Sequence, residues 1–146
     1  MKLSRSTQAA LAATLEMAAT EDEQVSVSRV AARNGIPETA LAKVVQQLVR
    51  AGIAEGTRGV GGGYRLTRPP SQISLLEVIQ VFEPPETRTL RDVRGAWALG
   101  RLSPLLAELD EMVRSTFESI TLETLARGPR LRAHAQPART RTASRP

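Results

Sequence analysis

Apolar residues recur every three or four positions over much of the chain, between short polar or glycine-rich breaks. That rhythm predicts a mainly α protein with a small β-hairpin. From Ser4 to about Thr20, an alanine-rich segment sets Leu11, Leu15, Ala18 and Ala19 on one helical face. The acidic run Glu21-Asp22-Glu23 then breaks the pattern as a surface loop would. Next, Ser26 is suited to cap a short helix whose inner face is Val27, Val30 and Ala31, and Gly35 suits its left-handed C-terminal position. Pro37 fits a first helical turn and Glu38 the positive end of a helix dipole. This third helix runs to about Arg50, turns Leu41, Val44, Val45 and Leu48 inward, and stops at Ala51-Gly52. Two short helices joined by a tight, glycine-containing turn make a helix-turn-helix.

The segments Ile53–Arg58 and Tyr64–Arg68 read as two strands around the turn Gly59-Val60-Gly61-Gly62-Gly63, closed off by Pro69-Pro70. Gly56 weakens the first strand. A basic hairpin directly after a helix-turn-helix is a wing. The glycine run lacks the Lys-Ser/Thr of a P-loop and opens no helix, which argues against a nucleotide site. Backbone without side chains can instead approach a sugar–phosphate wall closely. Beyond the wing, Ser74 and Glu77 form a capping box, with Ile73 placed to staple onto Val78. That helix carries Val78, Ile79 and Phe82 and ends before Pro84-Pro85. Residues 86–101 have weak periodicity and read as a loop or ragged helix.

The longest helix is expected from Ser103-Pro104 to about Ile120. Its stripe of Leu102, Leu106, Leu109, Val113 and Ile120, flanked by Leu105, Met112 and Phe117, is too wide to leave in water. A homodimer interface uses it economically; packing against the first helix is the alternative. Thr121–Ala126 adds a short capped turn. The expected division is a winged helix-turn-helix DNA-binding domain over residues 1–84, a loop and dimerisation helix over 85–127, and a disordered basic tail over 128–146.

Composition narrows the function. The 146 residues contain no cysteine, which excludes disulfides, thiolate metal sites, cysteine-ligated iron–sulfur clusters and cysteine nucleophiles. The single histidine, His134, gives no home to a histidine metal cage or a Ser–His–Asp triad. Aromatic residues make up 3%, too few for stacking platforms along a single strand. No nucleophile–base pair stands out, and nothing draws Asp22, Asp92 and Asp110 together, so no enzyme is expected. No apolar run approaches the roughly 18 residues that span a membrane. A cytoplasmic protein without a membrane partner or cofactor is expected.

The net charge of +5 divides unevenly. The segment from Arg127 to Pro146 holds six arginines and no acid, so the high overall charge belongs mostly to the C-terminal segment. Within the remainder, residues 29–68 hold seven basic and two acidic side chains, whereas residues 69–126 are net −4. Positive charge therefore concentrates on the helix-turn-helix and wing, where phosphate would be met.

Several motifs resemble those of bacterial winged-helix regulators typified by the iron–sulfur cluster regulator IscR. Lys2-Leu3-Ser4 opens the first helix, Val30-Ala31 precedes Gly35-Ile36-Pro37, and Leu48 precedes Ala51-Gly52-Ile53. The most specific element is Arg58-Gly59-Val60-Gly61-Gly62-Gly63-Tyr64-Arg65-Leu66, leading to Pro69-Pro70 and Ile73-Ser74-Leu75-Leu76-Glu77-Val78-Ile79. The resemblance covers roughly residues 1–126 and implies a dimeric DNA-binding repressor or regulator with the long helix as its interface. Cluster-binding members place three cysteines between the helix after the wing and the long helix. The approximate positions here carry Arg88, Arg94 and Gly100, so the chain resembles a cluster-free branch answering to a small molecule or a protein partner. Gln8 also stands where many relatives have an aromatic residue.

The second helix of such a motif enters the major groove. Its outward residues are expected to be Glu38, Thr39, Ala40, Lys43, Gln46 and Gln47, with facing the next helix as the alternative for Gln47. Glutamine and lysine pair with adenine or guanine edges, and glutamate accepts from cytosine; Glu38 equally serves the helix dipole. Arg58 resembles the family's wing arginine, which reaches into the minor groove. Gly61 and Gly62 would let the wing backbone approach, while Arg5 and Arg65 suit phosphate contacts. The alternative is a winged-helix adaptor binding protein rather than DNA.

Overall fold

Ser4 sets the start of the first helix. Its side chain accepts from the Thr7 N–H (3.2 Å), and α1 (Arg5–Ala19) follows. The computed structural model describes residues 2–20, 23–83 and 97–128. Expectations for Glu21-Asp22, for most of the 86–101 segment and for the tail beyond Gly128 lie outside those residues.

The buried face of α1 differs from the expected one. Thr7, Ala9, Ala10, Ala13, Thr14 and Met17 are buried, Leu11, Leu15 and Ala18 are half-buried, and Ala19 is exposed. Small residues let α1 pack closely against α3, α4 and α6, which leaves the leucines at the edge of the contact. Thr14 can be buried because its hydroxyl donates to the Ala10 carbonyl at 2.9 Å. A further tie fixes the start of α1. One Glu83 carboxylate oxygen accepts from the Ser4 N–H and from the Thr7 hydroxyl, both at 2.7 Å.

Helix α2 (Val27–Asn34) is capped by Ser26 and ends at Gly35, whose φ of 63° is the left-handed conformation glycine adopts without strain. Helix α3 (Glu38–Arg50) starts one residue later than expected. Pro37 occupies the cap position, and Leu41, Val44, Val45 and Leu48 are all buried. Strands β1 (Ala54–Thr57) and β2 (Gly63–Leu66) form the antiparallel hairpin, with Ala54 opposite Leu66 and Glu55 opposite Arg65. Gly56 is a packing requirement of this hairpin: a β-carbon there would lie 2.7 Å from the Tyr64 ring. Val25 adds an inner edge, exchanging hydrogen bonds of 2.8 and 2.9 Å with the Tyr64 backbone.

A 3-10 turn (Pro70–Gln72) leads to α4 (Leu75–Phe82), which carries both halves of the expected capping box at 3.2 Å. The long helix α5 (Trp97–Ser119) begins six residues before Ser103-Pro104, so Pro104 lies inside it. A proline there removes the bond to the Gly100 carbonyl, at a cost of roughly 3 kcal/mol. Alanine, leucine and arginine before it favour the continued helix.

The chain then returns to its beginning. Thr121 caps α6 (Leu122–Ala126) and forms a bridge with Ser74. The Leu75 N–H donates to the Ile120 carbonyl (2.7 Å) and the Leu122 N–H to the Ile73 carbonyl (2.9 Å). Leu122 is fully buried with Leu41, Leu48, Ile73 and Val78, so one core takes residues from both ends of the described chain.

Candidate nucleic-acid interface

Helix α3 has two faces because its apolar residues recur at three, one and three positions. With Leu41, Val44, Val45 and Leu48 facing the core, Glu38, Thr39, Ala40, Lys43 and Gln46 are left exposed. Thr39, Lys43 and Gln46 follow one another at four and three residues and so make a single outward row. Gln47, expected outward with the next helix as the alternative, is exposed as well. The row offers a hydroxyl, an ammonium and an amide, the donors and acceptors that base edges in a major groove pair with. Helix α2 packs beside α3, the relation a helix-turn-helix requires.

The wing presents a different chemistry. Arg58 is exposed where β1 gives way to the turn. The turn is closed by a 2.9 Å bond from the Gly62 N–H to the Gly59 carbonyl. A β-carbon on Gly62 would come within 2.5 Å of the Thr57 carbonyl oxygen, so glycine there answers first to the turn's own packing. Gly61, with φ of 77°, faces open space and leaves its backbone accessible. At the turn end of β1, the Thr57 hydroxyl donates to the Gln24 side chain (2.5 Å).

Arg65 is not a lone cation. Its guanidinium pairs with Glu55 across the hairpin at 2.7 Å, with both side chains about half exposed. The register explains the pair, since the two residues stand directly opposite. An exposed pair of this kind contributes only about 0.2–1 kcal/mol and can be exchanged for phosphate at small cost. Arg68 is likewise held by Glu77 (2.5 Å) and the Gln72 carbonyl (3.0 Å), which ties the foot of the wing to α4. Sequence reasoning missed both pairs because they depend on register. Arg5 is exposed as the first residue of α1, beside the Ser4–Thr7–Glu83 hydrogen-bond cluster.

A groove of about 690 Å3 lies between the end of α1, β2 and α6. Its arginines Arg65, Arg68 and Arg127 are each paired with a glutamate.

Helix α5 carries the expected stripe as far as Val113, and Ile120 follows one residue past its end. Leu102 and Leu109 are exposed, while Leu106, Val113 and Ile120 are half-buried. Leu105 and Met112, expected only to flank the stripe, are more exposed still at 51% and 59%. No described helix is long and apolar enough to cross a membrane.

The fold has solved counterparts. The structure of CymR (YrzC), the global cysteine regulator of B. subtilis, superposes with a TM-score of 0.75 at 26% identity, covering 87% of this chain and 97% of that one. IscR of T. potens shares the fold, with a TM-score of 0.69 at 24% identity over 86% of each chain. In sequence, the chain is 36% identical over 126 residues to BadM of Rhodopseudomonas palustris, a protein named as an HTH-type transcriptional regulator. That match spans 86% of this chain and 81% of BadM. It is also 36% identical over 86 residues to the HTH-type transcriptional regulator IscR of Cereibacter sphaeroides, covering 57% of this chain and 56% of that protein.

Residues 3–128 match the Rrf2 family, described as iron-dependent transcriptional regulators. The donor set of this chain does not fit a cysteine-ligated iron–sulfur cluster, since it has no cysteine. Among the described residues, no three histidines, aspartates or glutamates converge as metal ligands. The match over residues 3–128, the two-faced α3 and the hairpin behind it place the chain in the Rrf2 family, as a DNA-binding transcriptional regulator and not an enzyme.

Proposed function

We propose that the chain is a homodimeric, sequence-specific repressor that binds a palindromic operator in the cytoplasm without an iron–sulfur cluster. A small molecule or a protein partner supplies its signal. The outward row of Thr39, Lys43 and Gln46 on a helix whose other face is buried is the observation that carries this reading. Helix α3 enters the major groove, with Glu38 and Ala40 at its leading end, and Arg58 reaches the adjacent minor groove. Arg5 and Arg65 meet phosphate and set the register without reading sequence. Two copies meet through α5 along Leu102, Leu106, Leu109 and Val113, with Ile120 just past its end. No specific observation favours the adaptor reading, for which the outward face of α3 would be apolar or acidic.

Selection from a random duplex pool, followed by titration of the enriched site and a promoter–reporter assay, tests the reading. Arg58→Ala is expected to weaken binding to that site about 10-fold at fixed salt while leaving the dimer intact. Unchanged affinity would remove Arg58 from the interface. The protein purified anaerobically is expected to be colourless, with no cluster absorption in its visible spectrum. A brown protein with stoichiometric iron would overturn the cluster-free assignment.

A further inference from the structure

Between Arg58 and Tyr64 the sequence offers one side chain, Val60, among four glycines. It is fully exposed, at 112% of its reference area, whereas the other exposed large apolar residues of the described chain are Val49 on α3, at 38%, and four residues on α5. An isolated surface valine is ordinarily unremarkable, but this one sits on a shaped support. The Gly62–Gly59 hydrogen bond closes the turn, Gly59 and Gly61 hold it with φ of 106° and 77°, and Gly62 has no room for a side chain. The tip is therefore built to present Val60 next to Arg58 and nothing else.

We propose that Val60 is the side chain with which the wing rejects G·C pairs in the minor groove. This rests on the DNA-binding reading above. In that groove A·T and T·A show only acceptors, and a G·C pair adds the guanine N2 amino group. A valine pressed onto the groove floor would cover that amino group and offer it no acceptor. A desolvated donor without a partner is costly. Over an A·T pair the same methyl groups meet the adenine C2–H and the sugar walls, and no donor is stranded. Arg58 supplies electrostatic attraction to a narrow groove; Val60 supplies exclusion by shape and missing hydrogen-bond capacity.

Inosine isolates the term, because an I·C pair lacks the N2 amino group. In the duplex enriched by the wild-type protein, each A·T pair flanking the major-groove half-sites is replaced by G·C and, separately, by I·C. Wild-type protein is expected to bind the G·C duplex about 5- to 10-fold more weakly than the I·C duplex at one symmetric position in each half-site. Val60→Asn, whose amide oxygen can accept from the amino group, is expected to bring that ratio below about 2 while leaving major-groove preferences unchanged. A ratio that stays at the wild-type value in Val60→Asn, or a wild-type protein with no G·C-against-I·C difference at any position, would overturn the proposal. Failure of the wild-type protein to enrich any duplex would instead overturn the regulator reading itself.

Discussion

Leu109→Asp in α5 is expected to yield a folded monomer that binds operator about 100-fold more weakly than the parent dimer. Leu109 is 47% exposed within its own chain, so the charge disturbs little of the monomer fold. In a dimer it would sit in the middle of the Leu102–Ile120 stripe, where an unpaired carboxylate loses its hydration without a partner. The affinity falls because one protomer no longer holds the other at high effective concentration near the second half-site. Light scattering gives the mass, circular dichroism the fold, and titration of the selected duplex the affinity. A variant that remains dimeric at micromolar concentration would exclude α5 as the interface.

Leu122→Ala is expected to lower stability by roughly 2–5 kcal/mol, a drop in Tm on the order of 10 °C. The size follows from complete burial of Leu122 in a core otherwise built from α1 to α4, the start of β1 and the residues Val25, Ile53 and Ile73. Its N–H is already committed to the Ile73 carbonyl, so the backbone cannot easily collapse into the space left behind. A thermal melt at fixed protein concentration measures the effect. A shift of less than about 2 °C would mean that α6 rests on the winged-helix unit without completing it.

The elements legible in the sequence are those with local chemical markers. Ser26 and Gly35 bound α2, the Ser74–Glu77 box opens α4, and the spacing of Leu41, Val44, Val45 and Leu48 divides α3 into two faces. Helix α1 was harder to orient, because nearly every face carries alanine and the inward one is chosen by close contact with distant helices. Pro104 misplaces the start of α5, since a proline that fits a first turn also survives inside a helix when neighbouring residues hold it. The Val25 bridge and the pairs Glu55–Arg65 and Arg68–Glu77 are long-range matters of register, for which one sequence carries no signal. The Val25-Ser26-Val27 alternation could have hinted at an extended residue before α2. Exposure of Lys43, Gln46 and Arg58 was readable because helical and hairpin periodicity fixes it locally.

The two main-chain bonds between Ile120–Leu122 and Ile73–Leu75 act as a rivet at the end of α5. In a dimer formed through that helix, these bonds would tie the end of the interface helix directly to the domain that carries α3. One base pair inserted between half-sites turns one of them by about 34° and moves it by about 3.4 Å along the duplex axis. A dimer held in that way would follow by breaking the rivet or by bending the DNA. Operator spacing, and not base identity alone, then becomes a quantity to which this regulator is tuned.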